Sequence, residues 1–283
     1  MKHWHRRYSP AQAADELAQL VEAAARGLKR RKHATHLKRG QAAIAAVIKH
    51  YFRRQQAAVL AAVKPRIASE LSADPPTVRE ASVGGKRFAS NLLPSSLSPL
   101  SFAVTPDEKS DYDTAITDLI TAAGKTLAKE LGASASDDLL DTVASKYLHS
   151  ESLQKLTGGL DDTSTQRLRT AIGDAWDAGG SYDQIVSAIT ETFDDFSETR
   201  AGLIAQTEAI DAYNEGRNET ARGLGFDEKS WEVESDNPCE VCLGNVDDGW
   251  IDFDDSFSSG DDAPSSHPGC CCVLNFRSSE SAE

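Results

Sequence analysis

Two short runs near the C-terminal end carry residue types that bind soft metal ions. The first is Cys239-Glu240-Val241-Cys242 and the second is His267-Pro268-Gly269-Cys270-Cys271-Cys272. All five cysteines of the 283-residue chain lie in them. Cys239 and Cys242 are separated by two residues, as are His267 and Cys270. Such a gap lets the backbone turn so that both side chains reach one ion, and Pro238 and Pro268 favour such turns. Thiolates plus an imidazole, two donors from each run, suit a tetrahedral Zn²⁺. The spacing gives Cys239, Cys242, His267 and Cys270 as ligands, with Cys272 as an alternative fourth. Four protein ligands close the coordination sphere, which makes the site structural rather than catalytic. In so polar a segment, metal binding supplies much of the folding energy. Free or disulfide-paired cysteines, Cys239 with Cys272 for instance, are the competing reading.

A second set of chemically capable residues precedes the first run, where the pattern predicts a helix from Ser197, as N-cap, to Arg222. At 100° per residue, Arg200, Ile204, Thr207, Asp211, Asn214 and Asn218 fall on one stripe, flanked by Glu208 and Arg217. Arg, Thr, Asp and Asn on one face suit either a catalytic surface or a buried hydrogen-bond network, and the network is the commoner arrangement. There is no HExxH, G-x-S-x-G, P-loop or dinucleotide-type glycine turn, so the chain reads as a non-enzyme.

These groups are positioned by a mainly α (α+β) chain: helical N-terminal and middle regions, then a small α+β C-terminal module stapled by the Cys/His site. Five regions are expected. Residues 1–71 form a basic helical region, 72–105 a Pro/Ser-rich linker or extended arm, 106–195 a helical middle, 196–277 the Cys/His-bearing module, and 278–283 a tail. In the first, Leu17, Leu20, Val21, Ala24 and Leu28 predict a helix from Pro10 to Arg31. Ile44, Val47, Ile48, Tyr51, Phe52, Val59 and Val63 predict another, after Gly40 and ending at Pro65. Thr105-Pro106-Asp107-Glu108 reads as a helix start. Leu139–Leu148 and Asp162–Trp176 read as helices interrupted by Gly158-Gly159 and Gly179-Gly180, and Ser181-Tyr182-Asp183 opens another through Phe193. Glu228–Glu234 alternates like a strand, as does Val273–Phe276. The 24 residues between Cys242 and His267 suggest a hairpin or loop.

The net charge of −14 is unevenly spread. Residues 1–54 hold thirteen Lys/Arg against Asp15, Glu16 and Glu22, a local charge of +10, so the remainder carries −24. The basic head suits a polyanion, nucleic acid or acidic protein; a solvated basic helix without a partner is the competing reading. No apolar run approaches the ~20 residues of a membrane span, so no membrane partner is expected. Met1–Pro10 is too polar for a secretory leader.

Several separate motifs, in order, resemble one family. They are Arg200-Ala-Gly-Leu-Ile-Ala-Gln-Thr-Glu208, Ala212-Tyr-Asn214-Glu-Gly216, Gly225, Lys229-Ser-Trp231, Asp236-Asn-Pro-Cys239-Glu-Val-Cys242 and His267-Pro-Gly-Cys270-Cys-Cys272. Together they are similar to the C-terminal domain of phage head-morphogenesis proteins, the Mu F-like minor head proteins, over residues ~197–276. The family usually has Arg between the last two cysteines, where this chain has Cys271. The resemblance implies a structural minor capsid protein of a tailed virus that aids head assembly, genome packaging or delivery. The implied partners are the portal protein, then a major capsid or scaffold protein, and packaged DNA through residues 1–54. The implied location is inside the capsid, with host cytoplasm during assembly. An ADP-ribosyltransferase- or toxin-type enzyme using Arg200, Thr207 and Glu208, and a zinc-stabilised nucleic-acid-binding protein, are the alternatives.

Overall fold

The computed structural model describes residues 10–73, 103–150, 153–235 and 237–279, with side chains in the first helix described from His33 to Ser72 and those at 154, 155 and 158–162 left out. Among these residues six helices precede a small sheet: α1 Pro10–Ala73, α2 Pro106–Glu130, α3 Asp137–Ser150, α4 Leu153–Asp177, α5 Tyr182–Asp195 and α6 Ala201–Gly223. Next come β1 Glu228–Glu232, α7 Glu240–Asp247, β2 Trp250–Asp252 and β3 Val273–Arg277. The sheet is antiparallel in the order β2-β1-β3, with Trp231 opposite Leu274 and Lys229 opposite both Ile251 and Phe276. The fold is thus mainly helical with a small α+β end. The stretch read as a linker or arm lies outside the described residues from 74 to 102, as do most of the tail and the side chains from Leu17 to Leu28.

The expected break at Gly40 and stop at Pro65 are both absent, because α1 runs through them. Gly40 is a packing position: a Cβ there would lie 2.7 Å from a Leu119 methyl, so the missing side chain lets α1 lie close on α2. Pro65 forfeits one helical hydrogen bond, but Val63 and Ile67 on either side are completely buried and keep the last turns on the core. Gly158-Gly159 does not interrupt α4 either, which starts upstream at the buried Leu153 and continues to Leu168, Ile172 and Trp176 in the core.

The helix starts at Thr105 and Ser181 are as the sequence predicts. Both are capping boxes, Thr105 with Glu108 and Ser181 with Gln184. Ser197, by contrast, caps nothing. A π-helical turn, Phe196–Arg200, carries α5 directly into α6. The extra residue of such a turn rotates the helix beyond it, and Phe196 stays wholly buried against Phe193 and Phe52, ring centroids 5.5 Å away in each case. The Arg167 and Arg200 guanidiniums lie over that ring at 4.9 and 5.4 Å.

One apolar core joins α1 to α6 and takes in Val273 of β3; a second joins Leu127 and Ala221 to Trp231, Phe253, Phe257, Leu274 and Phe276. The alternation of β3 therefore serves both. α2 and α6 lie backbone to backbone where a Cβ on Gly216 would sit 2.7 Å from the Ile120 carbonyl oxygen. Gly216→Ala should accordingly cost about 1–3 kcal/mol through overpacking. Gly202→Ala, in helix with no atom near the new methyl, should gain about 0.4–1 kcal/mol. Urea unfolding of the two variants checks this opposite pair.

Burial raises the Glu108 carboxyl, but hydrogen bonds from Arg54, the Thr105 N–H and His50 outweigh it and leave the group below its ordinary value. A lowered carboxyl adds stability above its unfolded pKa that disappears as pH falls through the folded value. Arg54→Met should cost about 1–3 kcal/mol at neutral pH, and unfolding followed against pH should show that loss shrinking as pH falls through the ordinary glutamate range and on through the lowered Glu108 value.

Candidate metal centre

The first Cys run begins α7. Cys239 is its N-cap, and its Sγ accepts the Cys242 N–H at 3.4 Å, so the two thiols are presented by one turn. The second run is also a closed turn, in which the Cys270 N–H bonds the His267 carbonyl at 3.1 Å. Gly269 supplies the turn's left-handed residue, φ 82°. The two clips face each other. His267 Nε2 lies 3.3 Å from Cys239 Sγ and 3.7 Å from Cys242 Sγ, and Cys242 Sγ lies 3.9 Å from Cys270 Sγ. His267 Nδ1 is 3.0 Å from the Pro268 carbonyl. That contact requires a proton on Nδ1, which leaves the Nε2 lone pair aimed at the thiols.

The five sequence-predicted donors therefore come together as two overlapping triplets, Cys239/Cys242/His267 and Cys242/Cys270/Cys272, with Cys242 common to both. Cys271 is in neither. The cluster can hold a metal ion. A tetrahedral ion with ~2.3 Å bonds to sulfur and ~2.0–2.1 Å bonds to nitrogen has S···S edges near 3.8 Å and S···N edges near 3.6 Å, close to the separations seen. None of the cysteines is disulfide-bonded. The Cys242 N–H lowers the Cys239 thiol from its ordinary value, and burial pushes Cys242 up to about 12. A hydrogen bond with Cys272 brings Cys270 down to about 5.

What holds the clips in place is the polar stripe of α6. Gln206 donates to the Gly269 carbonyl at 2.8 Å, and Thr207 Oγ1 accepts the Gly269 N–H at 3.3 Å. Asp211 accepts from both the N–H and the hydroxyl of Ser265, at 3.0 and 2.7 Å. Asn214 donates to the Cys272 carbonyl at 3.0 Å and accepts the Leu274 N–H at 3.1 Å. Arg217 reaches the Leu274 carbonyl through Nε and Nη2 at 3.2 and 2.9 Å, and Glu130 through Nη1 at 3.1 Å. Glu208 accepts the Tyr112 hydroxyl at 2.7 Å, and Arg200 Nη1 donates to Ser164 Oγ at 3.2 Å. The stripe is thus the hydrogen-bond network, reading the backbone of residues 265–274.

Residues 166–275 match the family model described as Phage Mu protein F like protein. The match begins inside α4, runs through α5, the stripe of α6 and the metal cluster, and ends in β3. This segment is similar to the phage Mu protein F-like family. It is the family that the motif order resembles, and the match reaches further upstream than the motifs, into α4. The comparison with curated proteins gives no match, and neither does the comparison with solved structures.

Sequence reasoning missed two contributors to the Mu F-like segment. Gln206 sits one residue off the stripe, and its only signal was that neighbourhood. His33 of α1 is wholly buried, Nε2 2.9 Å from Glu130 and Nδ1 3.5 Å from Glu234, just upstream of the first clip. Burial lowers its pKa, while the hydrogen bond to Glu130 and the nearby Glu234 carboxylate more than reverse that and leave it raised. A lone histidine in a basic helix gives no such hint. Because Cys242 is shared by both triplets, Cys242→Ser should abolish metal binding measured by elemental analysis of the purified protein. Cys271→Ser should leave the metal content unchanged.

Proposed function

We propose that the chain is a structural minor capsid protein of a tailed phage, placed with the portal inside the head and serving head assembly and genome packaging or delivery. The family match over residues 166–275 carries this reading and supports a phage head-morphogenesis protein. The metal in this reading is Zn²⁺ held by Cys239, Cys242 and His267, with Cys270 or Cys272 as the fourth ligand. A closed set of thiolates and imidazole does no chemistry on a substrate; it staples the two ends of a polar loop that is otherwise anchored by Phe253 and Phe257. The basic head, residues 1–54, supplies contact with packaged DNA or an acidic protein surface. Among the described residues no helix is long and apolar enough to cross a membrane.

The enzymatic alternative draws on Arg200, Thr207 and Glu208, and these three side chains are engaged with Ser164, Gly269 and Tyr112. They hold elements together and support the structural reading. Mass spectrometry of purified virions should detect the protein in low copy, and disruption of its gene should yield defective heads. Absence from virions together with sustained NAD hydrolysis that is lost in Glu208→Gln would reverse the assignment. Binding to DNA should be salt-sensitive and sequence-independent, and should disappear on deletion of residues 1–54; a fragment of residues 105–283 that still binds would count against the basic head.

A further inference from the structure

Among the described residues five large apolar side chains are exposed, and four of them fall within ten residues: Val241, Leu243, Val246 and Trp250, on α7 and the first residue of β2. α7 buries Cys242 and Asn245. Leu243 and Val246, three residues apart on the helix, share a flank turned away from that side. From Glu240 to Asp262 the chain has eight acidic residues and no Lys or Arg. Arg222, Arg277 and Lys229 reach in from outside this stretch, Arg222 pairing with Asp254 at 2.8 Å, Arg277 lying 4.5 Å over Trp250 and Lys229 donating to the Asp262 carbonyl at 2.9 Å. Asp247 and Asp252 are exposed and have no ion pair among the described residues. An apolar flank set among uncompensated carboxylates fits a helix that is basic with apolar positions between its cations.

The chain carries such a helix. Arg26 to Arg39 contains seven Lys/Arg and no acidic residue, within the unbroken α1. At 1.5 Å per residue, the part of α1 before His33 is roughly 35 Å long. Among the described residues α1 packs on α2, α5 and α6 of its own chain, with no comparable packing against α7 or β2.

We propose that the basic stretch of α1 in one copy docks on the α7–β2 surface of a second copy, head to tail. The two surfaces differ, so the contact is heterologous, and its repetition generates a ring or an open chain rather than a two-fold dimer. Its electrostatic part weakens with salt.

Sedimentation velocity of the full-length, metal-loaded protein tests this, because the contact predicts association that grows with concentration at about 50 mM salt and is lost at about 500 mM. Reversing one side with Lys29→Glu, Arg30→Glu, Arg31→Glu and Lys32→Glu, or the other with Asp247→Lys and Asp252→Lys, should give monomers. Both sets in one chain should restore association. Circular dichroism and metal content verify that each variant is folded. A wild-type chain that stays monomeric at low salt overturns the proposal, as does failure of the combined variant to re-associate. Association that needs added DNA and ignores the Asp247→Lys/Asp252→Lys change assigns the basic stretch to nucleic acid and also overturns it.

Discussion

The C-terminal module depends on hydrogen bonds between the side chains of one helix and the backbone of one strand. β3 is an edge of the three-stranded sheet, bonded to β1 on one side only. On its other side the Asn214 amide donates to the Cys272 carbonyl and accepts the Leu274 N–H, and Arg217 takes the Leu274 carbonyl. A side-chain amide has one acceptor and donor in the arrangement of a peptide group, so α6 occupies the place of a fourth strand. An exposed edge would invite pairing with another chain; here it is closed from within.

That edge contact fixes the metal loop. Residues 265 to 272 reach β3 directly, and they are tied at Ser265, Gly269 and Cys272 to Asp211, to Gln206 with Thr207, and to Asn214. The second clip is therefore held on a helix that belongs to the main core, while the first starts α7 behind the sheet. An ion bridging them would sit within the second apolar core, to which Cys242, Cys270 and Cys272 belong. A metal ion in the cluster would close a geometry that the α6 network has already approximated.

A buried polar network extends the same logic toward the N-terminus. Arg217 is completely buried and paired to Glu130, whose other oxygen meets His33; His33 also faces Glu234 and packs its ring against Tyr213, 5.8 Å away. Burying charges is costly, and such a cluster persists when its members satisfy one another. It places α1, the end of α2, α6 and the approach to the first metal clip in one arrangement. Loss of Glu130 would leave the buried Arg217 and His33 without the carboxylate they share.

The sequence by itself brought out the Cys/His residues that the structure gathers into one cluster able to hold a metal ion, because two-residue gaps between soft ligands constrain which atoms can meet. It also determined the helix starts at Thr105 and Ser181, the flanking strands and the polar stripe, since caps and periodicity are local. Motif order alone pointed to the Mu F-like family. Where glycine and proline were read as breaks, the reading held at Gly179-Gly180, between α4 and α5, and failed elsewhere: Gly40 is a site of helix contact, and Pro65 and Gly158-Gly159 lie inside helices whose buried neighbours outweigh local propensity. Ser197 looked like a cap, but the burial of Phe196 decides that turn. Only the tertiary structure decided what the stripe does. Whether Asn214 and Arg217 face a substrate or a strand edge depends on what packs opposite them, and residues almost sixty positions away in the chain supply it.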